Sequence, residues 1–346
     1  MNNELKNIFW IDAVKAMCMI GVYWAHTEAY TLGTTPVSIP IIGPFYVNTF
    51  FLISGYLLYK KYSTGNNLLI NVNRGGYLQA LKNTLFRLVI PMLIFSTLFY
   101  IPKILFHAKD LSLSKALIDI LGGVSYWFTA ALTVAQVVML TLLLLRWRRK
   151  WYMWLATLVI SLVGSILSYK VSCTNPECYF PWFYKTGLVY TLIMTLGGIY
   201  HRYETWFDRN KVVVIILSAL IYLSNVVLSF FGTRVSMIGL SGKVDLLGIV
   251  VIIAASILVI YVAKLLLFNR LMSFIGKNSI IFYFLSGALP AFYGKVVNLI
   301  PLPVSYLSVV IVMLFSLFTA TLMSWFILKY IPWMVDLRRL FSKFEK

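Results

Sequence analysis

Residues 244–267 read VDLLGIVVIIAASILVIYVAKLLL, and between Leu246 and Ala263 no charged side chain interrupts the apolar run. A helix needs about 20 mostly apolar residues to cross the hydrocarbon of a bilayer. Ten segments of this kind lie along the chain, at approximately Ile8–Tyr30, Ile41–Tyr62, Thr84–Phe106, Tyr126–Arg146, Tyr152–Tyr169, Phe183–His201, Val212–Phe231, Val244–Leu267, Ser279–Leu299 and Tyr306–Ile331. They predict an all-α polytopic membrane protein of about ten transmembrane helices. Composition agrees: 60% of the 346 residues are apolar and 12% are charged, against about 45–50% and about 25% in soluble domains. That excludes a soluble globular monomer, a disordered chain and a disulfide-dense secreted module. The opening MNNELKNIFWIDAVKAM has no small-residue cleavage site, so the first span is expected to stay in the membrane. No internal repeat and no long loop is visible, which predicts one membrane domain over residues 1–346.

The net charge is +19. In a soluble protein this would point to nucleic acid. Here the cations gather in the links between spans, so no nucleic acid is expected and the lipid bilayer surface is the partner for the charge. Ten spans put both termini on one side. That side carries 21 of the 30 Lys and Arg residues, the other carries 8, and Lys15 lies within the first span. The bias predicts cytoplasmic termini. The segment His107–Gly123 carries Lys109, Asp110, Lys115 and Asp119 among leucines and isoleucines, the pattern of an amphipathic helix lying in the interface. Cys173 and Cys178 share a loop on the outward, oxidising side, where a disulfide is expected and two unpaired thiols are the alternative. They are too few for a zinc site without other ligands. Cys18 reads as packing.

Polar groups inside a membrane are costly and therefore informative. The first span holds Asp12, Lys15, His26 and Glu28. Asp12 and Lys15 are three residues apart and share a helix face. Lys15 and His26 are eleven apart, close to three full turns, so they share a face about 16 Å long. That face runs Asp12, Lys15, Met19, Val22, His26. It reads either as a catalytic stripe or as an inert ion pair below a histidine that bonds lipid headgroups. Glu28 falls on another face near the exit and is expected to be solvated. In the second span, Phe50-Phe51-Leu52-Ile53-Ser54-Gly55-Tyr56 offers small residues for close helix contact. The link from Lys60 to Asn83 carries Lys60, Lys61, Arg74 and Lys82 with no acid, and Arg87 follows just before Pro91. Such a surface suits a polyphosphate ligand and equally suits a topology signal.

Together these segments resemble the acyltransferase 3 family of integral membrane acyltransferases. Ile11-Asp12-Ala13-Val14-Lys15 followed by His26 resembles its opening. The segment Phe50–Tyr56 resembles its second-span signature, and Arg87-Leu88-Val89-Ile90-Pro91 its third-span motif. Ser125-Tyr126-Trp127-Phe128 resembles the start of its fourth span, and Ile275-Gly276-Lys277-Asn278-Ser279 with Tyr283 its late motif. The pieces come in the family's order. Lys15 stands where many members carry arginine; lysine is familiar in the branch resembling sugar O-acetylases. Leu132 replaces the fourth-span glutamate of a large branch, and Ser286 stands where many members have histidine. A mechanism using either replaced group is therefore not expected, and no fused esterase-like domain is expected after the last span.

The resemblance implies transfer of an acyl group, usually acetyl, from cytoplasmic acyl-CoA to a hydroxyl. The acceptors it implies are bacterial envelope carbohydrates: lipid-linked glycan, O-antigen, capsule or exopolysaccharide. The location it implies is the bacterial cytoplasmic membrane. It carries over His26 as the catalytic group, with Lys15 and Asp12 as its charged partners along the helix. Ser54, Phe51, Trp127 and Asn278 are expected near the donor or acceptor, and Arg87, Lys82 and Arg74 at the donor phosphates. Acetyl-CoA enters as co-substrate, with no bound cofactor and no metal. The pantetheine arm is expected along the Lys15–His26 face. His26 acts either as a general base, the preferred reading, or as a transient acyl carrier. A transporter is the rival from another class, and would show inverted repeats with broken helices. A catalytically inactive member acting as a scaffold is the other.

Overall fold

The computed structural model describes residues 3–34, 37–62, 74–107, 112–144, 150–170, 181–232, 238–239, 241–266, 268–299 and 305–338. The helices are α1 (Asn3–Leu32), α2 (Ile39–Ile42), α3 (Asn48–Tyr62), α4 (Arg74–Thr84), α5 (Ile90–His107), α6 (Leu113–Leu121), α7 (Trp127–Leu144) and α8 (Lys150–Lys170). They continue with α9 (Tyr184–Arg202), α10 (Glu204–Arg209), α11 (Lys211–Phe230), α12 (Leu246–Leu265), α13 (Arg270–Lys277), α14 (Ser279–Leu285), α15 (Ala288–Asn298) and α16 (Tyr306–Tyr330). Among the described residues there is no strand. The loop with Cys173 and Cys178 lies outside the described residues.

Five helical stretches are long and apolar enough to cross a membrane: Gly75–Pro102, Leu113–Leu143, Lys211–Phe230, Leu246–Leu265 and Tyr306–Tyr330. Counting the bent pair α14–α15 as one span makes six. Two of these helices are inverted relative to a soluble protein. In α11 the buried side chains are the polar Ser218 and Asn225, while Val212, Ile216, Leu220 and Leu223 are exposed. In α16 Ser316, Ala320 and Ser324 are buried, while Leu314, Phe318, Leu322 and Trp325 face out. Small and polar residues inward with large apolar residues outward is the arrangement that lipid tails reward. The chain is an integral membrane protein.

Several expected segments take a different form. The stretch expected as one span over Ile41–Tyr62 is broken into α2 and α3. Gly43 and Pro44 disfavour a continuous helix there, and the Asn48 side-chain amide donates to the carbonyls of Gly43 (3.0 Å) and Pro44 (3.1 Å) to fix the turn. The third expected span starts ten residues early, at Arg74, and passes through a π-helical turn at Leu85–Val89 before α5. The ninth is bent by 42° between α14 and α15; there Pro290 supplies no N–H to the carbonyl of Ser286. The expected interfacial segment His107–Gly123 is shorter: His107 belongs to α5, and the helix is Leu113–Leu121. It ends at Gly122, and Gly123 takes a left-handed conformation that opens a short 3₁₀ turn into α7.

The contacts divide into two compact units. The first comprises residues 1–50, 215–235 and 250–332. In it α1 packs against α13, α15 and α16. The Tyr23 hydroxyl donates to the carbonyl of Phe282 at 3.0 Å, and Thr49 and Ser256 share a 2.9 Å hydrogen bond between their hydroxyls.

The second unit comprises residues 51–214, 236–249 and 333–346. Its centre is α9, packed against α7 and α8. The backbones of α3 and α9 touch. A Cβ at Gly55 would land on the Met194 carbonyl, and one at Gly197 on the Leu52 carbonyl. Glycine at both positions lets two helices approach as membrane helices do, gaining dispersion contact where no hydrophobic force acts between them.

Candidate active site

In the first unit, α1 is a single helix from Asn3 to Leu32, so the eleven residues from Lys15 to His26 span an unbroken three turns. Lys15 and His26 are both half-buried. Met19 and Val22, between them on that face, are buried.

The lower end of the stripe is held by the late motif. Asp12 is buried and accepts a 3.2 Å hydrogen bond from the Ser273 hydroxyl on α13. Lys15 and Lys277 lie near enough to act on its charge. A Cβ at Gly276 would strike the Asp12 main-chain carbonyl, so only glycine lets α13 lie this close to α1. Asn278 ends α13, and its side-chain amide donates to the Phe274 carbonyl at 2.8 Å. Its place is at the α13–α14 junction, where it shapes the turn behind Asp12.

At the other end of α1, the His26 ring stacks on Tyr30 with centroids 6.1 Å apart and planes 15° from parallel. Its nitrogens make no hydrogen bond to any described residue. An imidazole so placed has a lone pair available for a substrate proton.

Glu28 differs from the expectation. It is fully buried rather than solvated. Its carboxylate accepts from the main-chain N–H groups of Val37 (2.8 Å) and Ser38 (3.4 Å), from the Ser38 hydroxyl, and from the Tyr306 hydroxyl (3.3 Å). Four donors compensate for burying a charge. The signal in the sequence is Ser38-Ile39-Pro40, a helix start in need of an acceptor.

In the second unit, Phe51 is fully buried, stacked on Tyr190 (3.5 Å, 2°) and edge-on to Phe128 (5.2 Å). It is a core side chain. Ser54 is half-buried on α3, one residue before the α3–α9 contact at Gly55. Trp127 opens α7, half-buried, with its ring 6.4 Å from Phe183.

The expected phosphate-binding cations lie on α4 and the π turn. Lys82 is exposed, its ammonium 5.6 Å from the Phe86 ring centroid. Arg74 begins α4. Arg87 sits in the middle of the π turn with its side chain 65% exposed. Pro91 gives the turn its cause: it has no N–H for the Arg87 carbonyl and its ring crowds that carbonyl. The ladder widens instead, with the Ile90 N–H bonding to Leu85. Wide turns of this kind occur often at functional sites.

Sequence reasoning missed one partner of this surface. Asp336 lies 3.9 Å from Arg87 and is paired with Arg338, whose other terminal nitrogen donates to the Asn83 side chain at 2.8 Å. Nothing local marks Asp336, since the contact joins segments about 250 residues apart. Leu132 and Ser286, at the positions where other members carry an acid or a histidine, are buried. The Ser286 hydroxyl is engaged by the Tyr283 carbonyl at 2.8 Å.

No curated protein and no solved structure gives a match to the chain. A family model does, described as an acyltransferase domain and matching residues 8–329. That range holds both the Asp12–His26 helix and the late motif that packs on it, and on it the chain belongs to the acyltransferase 3 family of membrane acyltransferases.

Proposed function

We propose that this membrane acyltransferase moves an acetyl group from cytoplasmic acetyl-CoA to a hydroxyl of an envelope carbohydrate, in the manner of sugar O-acetylases. One observation carries the reading. A single continuous helix bears a half-buried lysine near its middle and, eleven residues on, a histidine with no hydrogen bond to a described residue. With ten spans, the charge bias of the links favours both termini in the cytoplasm, and the family resemblance favours a bacterial cytoplasmic membrane. Residues 1–346 then act as one transferase domain.

A sugar hydroxyl is a weak nucleophile at neutral pH. His26 accepts its proton as the oxygen attacks the thioester carbonyl carbon, which typically contributes about 10²–10⁴-fold. Collapse of the tetrahedral intermediate breaks the C–S bond, and the leaving thiolate of coenzyme A takes up a proton. Arg87, Lys82 and Arg74 supply cations for the donor phosphates. Ser54, Trp127 and Asn278 keep the substrate-contact role that the family resemblance implies.

The experiment uses inverted membrane vesicles with labelled acetyl-CoA, comparing native protein with His26→Ala at matched expression. Label should enter lipid-linked or polymeric glycan with native protein and fall at least about 100-fold in the variant. Equal labelling in both removes His26 from the chemistry. Labelling by neither, across a screen of acyl donors, removes the transferase reading in favour of a scaffold or transporter.

A further inference from the structure

Residues 37–46 form a strap along one side of α1 within the first unit. At one end the Phe45 carbonyl lies 4.0 Å from the Cys18 thiol. A Cβ on Gly21 would come within 2.9 Å of the Tyr46 Cβ. At the other end, Glu28 takes both main-chain N–H groups of Val37 and Ser38 and the Ser38 hydroxyl. Ser38 stands at the cap position of α2 but makes no side-chain cap to its own helix, because its hydroxyl is spent on Glu28. The carboxylate thus ties the two residues that lead into α2 to α1. The middle of the strap is held by Tyr222, whose hydroxyl donates to the Ile41 carbonyl at 2.8 Å.

Gly21 and Glu28 are seven residues apart, two turns, and so share a face of α1. His26 is two residues before Glu28, about 200° around the helix. At Gly21 and Glu28 the strap therefore lies on the far side of α1 from the imidazole. The same carboxylate also receives the Tyr306 hydroxyl from the first turn of α16. The last turns of a helix fray unless something outside holds them. Here the turns that carry His26 are gripped through one buried group by two other segments.

Resting on the transferase reading above, we propose that Glu28 is a positioning residue that latches the 37–46 strap and the start of α16 to the back of α1, and so fixes the direction in which His26 faces its substrate. An angular error in a catalytic group lowers the rate of the chemical step while leaving donor binding elsewhere intact. A residue with a merely structural role would change yield and melting temperature without that split.

The test measures two things on the full chain: amide hydrogen exchange over residues 28–46, and steady-state transfer with acetyl-CoA varied. Glu28→Ala should speed exchange at Val37 and Ser38 and lower kcat by about 10–100-fold, with KM for acetyl-CoA within about twofold of native. Glu28→Gln keeps one acceptor oxygen and should fall between. Ser38→Ala and Tyr306→Phe each remove one bond and decide the matter if Glu28→Ala does not fold: each should lower kcat a few-fold, with faster exchange. Exchange unchanged in every variant overturns the latch. Faster exchange with native kcat overturns the positioning role alone. A native protein that transfers nothing overturns the transferase reading, and with it the role toward His26.

Discussion

The Ser273 hydroxyl donates to the Asp12 carboxylate at 3.2 Å, joining the first helix to one that begins more than 250 residues later. The junction depends on Gly276, one turn further along α13, lying against the Asp12 main chain. The two contacts differ in kind and should differ in cost. Ser273→Ala deletes one hydrogen bond to a buried carboxylate, on the order of 1–3 kcal/mol. Gly276→Ala forces two helices apart, at the upper end of about 1–3 kcal/mol because backbone must move. Thermal unfolding in detergent should show a modest drop in melting temperature for Ser273→Ala and a larger one for Gly276→Ala, with transfer activity falling more in the second. Equal and small effects would mean that α13 and α1 are not in backbone contact.

Arg87 owes its place to Pro91, and the dependence is testable. Pro91→Ala returns an N–H to the helix and allows the π turn to revert to α, which removes the extra residue and turns Arg87 by about 100° relative to α5. If Arg87 binds donor phosphates, Pro91→Ala should raise KM for acetyl-CoA several-fold with kcat little changed. Arg87→Ala should do the same more strongly, by about tenfold. Arg87→Lys should recover only part, because an ammonium lacks the planar fork. The elevated KM should also lose some of its salt dependence. A native KM in Arg87→Ala would assign Arg87 to topology and packing.

The sequence is most legible where the physics is local. Apolar runs mark α11, α12 and α16 to within a few residues, because a helix in lipid needs only length and hydropathy. The Lys15–His26 register is readable because α1 is one unbroken helix. Failures come where a residue's partner is distant. Glu28 reads as a solvated acid near a helix exit until Ser38 and Tyr306 fold onto it. Phe51 reads as part of a signature and proves to be the centre of an aromatic stack with Tyr190, 139 residues later. Span boundaries fail at Pro44, Pro91 and Pro290, where proline reshapes a helix that hydropathy alone draws as straight.

Asp336 gives a prediction with a pH sign. Burial works to raise its pKa, but hydrogen bonds and charge from Arg338, with the nearby charge of Arg87, outweigh it and hold the carboxyl below its ordinary 3.8. A depressed acid stabilises the folded form above the unfolded carboxylate range and loses that contribution as pH falls through the lowered value. The Trp333–Arg338 segment should therefore stay docked on α4 from pH 7 to about pH 5, with release confined to more acidic solution. Hydrogen exchange of residues 334–338, corrected for intrinsic rates, should be flat over that range in native protein. In Asp336→Asn it should be faster by a few-fold at every pH, a modest factor because the pair is partly exposed to solvent. The same substitution removes a carboxylate from beside Arg87. If Asp336 competes with donor phosphates for that guanidinium, KM for acetyl-CoA should fall in Asp336→Asn. If Asp336 instead orients Arg87, KM should rise, and the direction of that one change separates competition from support.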